Sequence, residues 1–212
     1  MKKITDFENY IFDLDGTLID SMPVWDNIGV DFLLSKGITP PYDLKETLSR
    51  MSFKEAADYF INELGLKMSV DDIIKGVTET AADKYRFEIP FKKGVYKFLE
   101  ESYKSGKHMS ILTASEEYYI IPLLKRLKAD VFFENIITCS NINMSKSSFE
   151  IYIAVAKKMG YAKEKTAVFE DALHGVENSK KAGFFTVAVF DEAEKENIEK
   201  IKSVADIYLE SF

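Results

Sequence analysis

Tyr10-Ile11-Phe12 runs into two carboxylates two residues apart, Asp13 and Asp15, and then into Gly16-Thr17-Leu18. Tyr, Ile and Phe suit a pleated, buried setting, and residues two apart on an extended chain face the same way. The segment therefore reads as a strand over residues 8–13 that delivers two acids to its carboxyl end, where Gly16 lets the chain turn away sharply. Open parallel sheets bind ligands outside the carboxyl ends of their strands. Two acids at that place point to a metal and an anionic substrate. The bland alternative is a strand-end turn in which the acids cap backbone amides.

The pattern beyond the acids sets the architecture. Ser21-Met22-Pro23 starts a helix with Val24, Ile28 and Phe32 on one stripe and Gly37 as its stop. Ser52-x-x-Glu55 is a capping-box pattern ahead of Ala56, Ala57, Phe60, Ile61 and Leu64, and Gly65 ends that run. Ser69 opens a third helix carrying Ile73, Ile74, Val77 and Ala81, and no strand pattern occurs from about 20 to 87. After Pro90 the texture alternates. Helices are predicted over 93–104, 116–127, 148–159, 175–182 and 194–202, and strands over 108–112, 136–138, 166–169, 185–190 and 207–209. Pro122 should kink its helix or mark its first turn. Such alternation implies an α/β fold with a doubly wound, Rossmann-like parallel sheet. The first strand must join that sheet, so the helical zone is an insertion. The expected organisation is a core of residues 1–19 and 88–212 with a helical-bundle cap of residues 20–87.

With 212 residues, 46% of them apolar, the chain can bury a true core. Its net charge of −7 argues against a nucleic-acid partner. The single cysteine, Cys139, excludes an internal disulfide and suits a reducing cytoplasm. No run of about 18 apolar residues is present, and Met1-Lys2-Lys3-Ile4 begins no apolar signal region. A cytoplasmic monomer without membrane attachment is expected. Of the two histidines, His108 opens a strand and His174 falls in a predicted loop, which leaves little for histidine-based hydrolysis.

The segment from Tyr10 to Leu18 resembles the first motif of the haloacid dehalogenase superfamily of phosphotransferases, Asp-x-Asp-Gly-Thr after a buried strand. The resemblance implies a nucleophile at Asp13 and a general acid/base at Asp15. It also implies three further motifs. A Ser or Thr after an apolar strand matches Thr113 in Ile111-Leu112-Thr113-Ala114-Ser115. A lysine ahead of a helix matches Lys146 in Ser145-Lys146-Ser147-Ser148-Phe149-Glu150, where Ser147-x-x-Glu150 reads as a second capping box. Lys163 and Lys165 are rivals in a polar loop. An acidic pair after an apolar strand matches Glu170-Asp171 behind Ala167-Val168-Phe169. Serines 147 and 148 stand where the family often has prolines, and Ala172 where it often has a serine, whereas Gly175 is kept. Taken singly, Thr113 reads as an ordinary cap and Lys146 as a solvated charge, whereas for the acidic pair a solvated turn is the lesser alternative. Together they fall in the required order between residues 10 and 183.

The chain is similar to the branch containing β-phosphoglucomutase and sugar-phosphate phosphatases, whose helical, C1-type cap follows the first motif. Four acids at one sheet edge repel, by about 4 kcal/mol for a pair of charges 4 Å apart at an effective dielectric of 20. Hard carboxylate oxygens suit Mg²⁺. The resemblance implies Mg²⁺ held by Asp13, the main-chain carbonyl of Asp15, Asp171 and, through water, Glu170, with Thr113, Ala114 and Lys146 on the phosphate. Trp25, Ser115 and Arg50 are candidate substrate contacts, although Trp25 reads more simply as core and Arg50, like Lys54, as solvated surface. The expected activity is Mg²⁺-dependent hydrolysis of a small phosphate monoester, a sugar phosphate or related metabolite, through an aspartyl phosphate. A mutase is the alternative. Mutases of the branch carry a cap histidine ten residues beyond the second aspartate, where this chain has Trp25, and an arginine after a Ser, where Phe53 follows Ser52. A dehalogenase would need neither Asp15 nor the acidic pair. A phosphoryl-accepting receiver domain would lack the long helical insert and the Gly-Thr after Asp15.

Overall fold

The structure, a computed structural model, describes residues 2–48 and 51–212. Arg50 lies outside the described residues. Along the chain, β1 (Asn9–Phe12) is followed by α1 (Met22–Ser35), α2 (Leu44–Leu48), α3 (Phe53–Asn62) and α4 (Val70–Phe87). Then come α5 (Val95–Lys104), β2 (His108–Thr113), α6 (Glu117–Arg126), β3 (Asn135–Thr138), α7 (Cys139–Ile142) and α8 (Glu150–Met159). The chain continues with β4 (Thr166–Glu170), α9 (Leu173–Lys181), β5 (Phe185–Val189), α10 (Ile198–Val204) and β6 (Ile207–Leu209). Two compact units result, Met1–Asp20 with Ile89–Phe212, and Ser21–Glu88.

In the first unit the strands form one sheet in the order β3-β2-β1-β4-β5-β6, with every pairing parallel. The chain steps from β1 outward through β2 and β3, then returns to the other side of β1 with β4. The reversal between β1 and β4 opens the crevice where such sheets bind ligands. All four residues of β1 are buried, as expected of a central strand covered on both faces. Alternation along it sorts the side chains. Ile11 joins Leu112, Ile151, Tyr152, Val155 and Val168 on one face. Tyr10 and Phe12 turn to the other, where they pack on Phe98 and Phe169 at ring separations of 4.5–6.3 Å. Fully burying each such ring contributes about 1.5–3 kcal/mol.

The register aligns the strand ends. Phe12 lies beside Ile111 of β2 and Phe169 of β4. Asp13 and Glu170 are thus the next residues of neighbouring strands, and Thr113 is two steps past Ile111. By parity Asp13 and Glu170 point to the same face as Ile11 and Val168, the face that carries Tyr152.

Among its described residues the second unit has helices joined by loops and no strand. Ser52 caps α3 reciprocally with Glu55, and Ser69 caps α4 through the Asp72 amide. Ile28, Phe32, Ala57, Phe60, Ile73 and Val77 form its core, with Phe32 and Phe60 stacked 6.1 Å apart.

Several local expectations need correction. The box predicted for Ser147 and Glu150 does not form. The Ser148 hydroxyl takes the Glu150 carboxylate, and α8 begins at Glu150 without a side-chain cap. Lys146 consequently sits in the turn ahead of the helix. His174 is not in a loop but exposed on the first turn of α9. The short helices α2 and α7 carry too few residues to show a period. The helix expected at 194–202 is a 3-10 segment, Glu192–Asn197, that passes into α10. Pro122 lies inside α6.

Candidate active site

Asp13 continues the ladder beyond β1, its amide donating to the Phe169 carbonyl at 2.9 Å. That bond fixes the buried carboxylate at the sheet edge. Lys146 reaches it from the turn before α8, with Nζ 2.6 Å from Asp13 Oδ1 and 2.7 Å from Glu170 Oε1. Asn178 of α9 steadies that turn by donating to the Lys146 carbonyl at 2.9 Å. Tyr152, in the first turn of α8, donates its hydroxyl to Glu170 Oε1 at 2.8 Å. The other oxygen of Glu170 packs on Gly175, where a Cβ would come within 2.4 Å of it. Any side chain at position 175 would therefore displace Glu170.

Asp171 is seated by the loop after β1. Thr17 Oγ1 donates to its Oδ1 at 2.7 Å. Gly16 lies against its Oδ2, where a Cβ would stand 2.3 Å away, and has φ +77°. Glycine is required there twice over, by the left-handed backbone and by the close approach. One oxygen each from Asp13, Glu170 and Asp171 falls within 4.8 Å of the others.

Asp15 takes a different setting. It is half-buried, and its Oδ2 accepts from Ser115 Oγ at 2.6 Å and, less closely, from Thr113 Oγ1 at 3.4 Å. Thr113 also caps its own turn, accepting from the Ser115 amide at 2.9 Å. Ala114 between them is exposed. The Asp15 side chain thus faces hydroxyls, apart from the three clustered carboxylates.

Electrostatics distinguish these groups. Burial drives the Glu170 carboxyl up to about 7; Lys146 opposes the rise and Asp13 adds to it. Burial, then Asp13 and Glu170, hold Asp171 well above the usual carboxylate range. For Lys146 burial works against the ammonium, but the two carboxylates outweigh it and hold the group above an ordinary lysine. Burial and then Glu170 keep the Tyr152 hydroxyl protonated. Three buried carboxylates against one ammonium leave an excess of two negative charges when all are ionised. Such an excess is costly without a cation. Hard oxygen donors converging within reach of one another fit a divalent ion such as Mg²⁺.

The remaining sequence candidates separate clearly. Lys165 pairs with Glu8 at 2.8 Å, and the Lys163–Lys165 segment precedes the amino end of β4, away from this edge. Trp25 belongs to the helical unit, half-buried, with Nε1 donating to the Tyr85 hydroxyl at 3.0 Å. His108 pairs with Glu134 at 2.6 Å. Sequence reasoning assigned no role to Thr17, Tyr152 or Asn178. Thr17 stood inside the first motif. Tyr152 reads by period as a plain core residue of α8, and nothing in the sequence ties Asn178 to Lys146.

A six-stranded parallel sheet with a helical segment inserted after β1, and acids gathered at the β1/β4 switch, defines the class. The sequence family described as haloacid dehalogenase-like hydrolase matches residues 10–189, and the chain belongs to it. It is 26% identical to a phosphorylated carbohydrates phosphatase of Thermotoga maritima over 176 residues, covering 83% of this chain and 82% of that protein. It is 24% identical to hexitol phosphatase B of Escherichia coli, covering 84% and 82%. The fold matches the crystal structure of a putative beta-phosphoglucomutase from Thermotoga maritima with a TM-score of 0.81, at 24% identity and covering 96% and 94% of the two chains. Family and relatives together support a phosphoric monoester hydrolase. Among the described residues no helix is long and apolar enough to cross a membrane.

Proposed function

We propose that the protein is a Mg²⁺-dependent phosphatase that hydrolyses a small phosphate monoester, a sugar phosphate or related metabolite, through an aspartyl phosphate on Asp13. The observation that carries this reading is the division of labour among the acids. Asp13 is clamped by Lys146 beside Glu170 and Asp171, while the Asp15 side chain is turned to Ser115. One carboxylate is held ready as a nucleophile, and another, turned to the Ser115 hydroxyl and not one of the three clustered carboxylates, serves as the proton donor and acceptor.

An Asp13 oxygen attacks phosphorus in line, and the bond from phosphorus to the ester oxygen breaks. Asp15 gives its proton to the departing oxygen. Asp15 then takes a proton from water, whose oxygen attacks phosphorus, and the bond to Asp13 breaks to release phosphate. Lys146 balances the charge on Asp13 and on the phosphoryl oxygens as they approach. Thr113 and the exposed Ala114 lie at the same strand end and supply a hydroxyl and a main-chain amide to the phosphate. Asp13, Asp171, the Asp15 carbonyl and, through water, Glu170 would hold Mg²⁺, which would supply further charge neutralisation.

The match to phosphatases and the character of Trp25 favour hydrolysis over phosphate transfer between positions of one sugar. Trp25 has no titratable group, and its N–H is engaged by Tyr85. A cytoplasmic enzyme fits a chain with one cysteine. The test is hydrolysis of p-nitrophenyl phosphate by the purified protein with Mg²⁺. Activity should vanish with EDTA and in Asp13→Asn; full activity of that variant would refute the role of Asp13.

A further inference from the structure

Lys92 stands at the start of the chain's return into the sheet unit and is drawn inward by its backbone. Its amide donates to the Leu18 carbonyl at 2.9 Å, and the Asp20 amide donates to the Pro90 carbonyl at 3.0 Å. Residues 90–92 are thereby laid antiparallel to 18–20, with Ile19 bridged to Phe91. This places the Lys92 side chain beside the loop that carries the catalytic acids. Its Nζ donates to the Gly16 carbonyl at 2.5 Å, to the Phe190 carbonyl, and to Asp191 Oδ2 at 2.8 Å. An ammonium has three N–H donors, and here each has an acceptor. The side chain is 17% exposed and that of Asp191 5%, so this is an interior clamp rather than a solvated charge. With its donors occupied, Lys92 has none left to offer a substrate.

The two ends of the clamp matter. Gly16 and Thr17 form the seat of Asp171, one by close approach and the other by its hydroxyl. Asp191 is itself anchored, its Oδ1 accepting from the Ala193 amide at 2.9 Å. Lys92 therefore ties the loop after β1 to the loop after β5. These strands flank β4, at whose end Asp171 stands.

We infer that Lys92 is a positioning residue for the acidic cluster. By pinning the Gly16 carbonyl to the loop after β5, it fixes the seat of Asp171 and so sets how tightly the cluster holds a divalent cation. This rests on the metal-dependent reading above, but on none of its chemistry. Groups bonded directly to a metal ligand typically change affinity by about 10- to 100-fold when removed; Lys92 acts one contact further out, through Gly16, so the lower end of that range is its ceiling.

The experiment is titration of the full chain with Mn²⁺, followed by the loss of the free-ion EPR signal, for the wild type, Lys92→Met and Asp191→Asn. Lys92→Met should weaken Mn²⁺ binding several-fold, up to about tenfold, while retaining a cooperative thermal transition. Asp191→Asn, which leaves the lysine but removes its charged anchor, should weaken binding less. A folded Lys92→Met with wild-type Mn²⁺ affinity would overturn the inference and leave Lys92 a brace of the fold alone. Should Lys92→Met fail to fold, Asp191→Asn decides: weakened binding supports the inference and wild-type affinity overturns it. A wild type that binds Mn²⁺ tightly yet hydrolyses no phosphate ester would refute the phosphatase reading while the Lys92 comparison still stands.

Discussion

Replacing Asp171 with asparagine should separate what the cluster costs the fold from what it gives the function. The carboxylate is buried, and one of its oxygens lies within 4.8 Å of one oxygen each of Asp13 and Glu170. At that separation one like-charged pair repels by about 3 kcal/mol at an effective dielectric of 20. Attraction to Lys146 returns part of this, so at a pH high enough to ionise Asp171 in the metal-free protein, neutralising it should stabilise the fold by about 2 kcal/mol. Asparagine keeps the acceptor for Thr17 Oγ1, now 2.7 Å from Asp171 Oδ1, and leaves the shape against Gly16 unchanged. For a chain of this length about 1 kcal/mol moves Tm by roughly 2–4 °C. Asp171→Asn in EDTA should therefore melt about 4–8 °C above the wild type. With Mg²⁺ the order reverses. A ligand at 100 times its Kd stabilises the wild type by about 2.7 kcal/mol, an increment the variant should lack along with its activity. Differential scanning calorimetry with EDTA and with Mg²⁺ reads both terms. A variant that melts below the wild type in EDTA, or that keeps the full Mg²⁺ shift, would refute the account of the cluster as an unbalanced charge waiting for a cation.

Other outcomes follow from the same geometry. Burial raises the Glu170 carboxyl from 4.5 to about 7, so the folded form holds a proton that the unfolded chain releases. Stability of the metal-free protein should fall as pH rises from 4.5 through 7, and Glu170→Gln should flatten that slope in a Tm-against-pH series. Tyr152→Phe removes a buried donor to Glu170, a bond worth about 1.5–3 kcal/mol above pH 7, where that acceptor is charged; urea unfolding there should show a lower midpoint at unchanged slope. Gly16→Ala combines a left-handed backbone with a Cβ 2.3 Å from Asp171 Oδ2. It should cost about 1–3 kcal/mol of strain and abolish the Mg²⁺-induced rise in Tm.

The sheet was legible because buried parallel strands announce themselves as short apolar runs. Tyr10-Ile11-Phe12 and Ala167-Val168-Phe169 both end in acids, and parallel register then places those acids side by side. Period two settles even the face, since Asp13 and Glu170 fall on the side of Ile11 and Val168. Helix beginnings were legible where a serine had its capping partner free, as at Ser52 and Ser69. At Ser147 the same pattern misled, because Ser148 is one residue nearer and takes Glu150 first.

What stayed hidden are the groups that hold the acids in place, and the reason is common to them. Tyr152 sits among Ile151, Val155 and Ala156 at ordinary core spacing, so its ring accounts for it fully and its hydroxyl leaves no mark on the pattern. Lys92 stands beside Lys93 and ahead of Gly94, which reads as a solvated pair of charges before a helix. Only the antiparallel pairing of residues 90–92 with 18–20 turns one of those lysines toward Gly16, and only the sheet order brings Asp191 to meet it. Strand ends reveal which acids come together, because backbone period places them. The clamps depend on where separate loops arrive once the sheet is assembled, and a residue such as Lys92 acquires its meaning from acceptors 76 and 99 positions away along the chain.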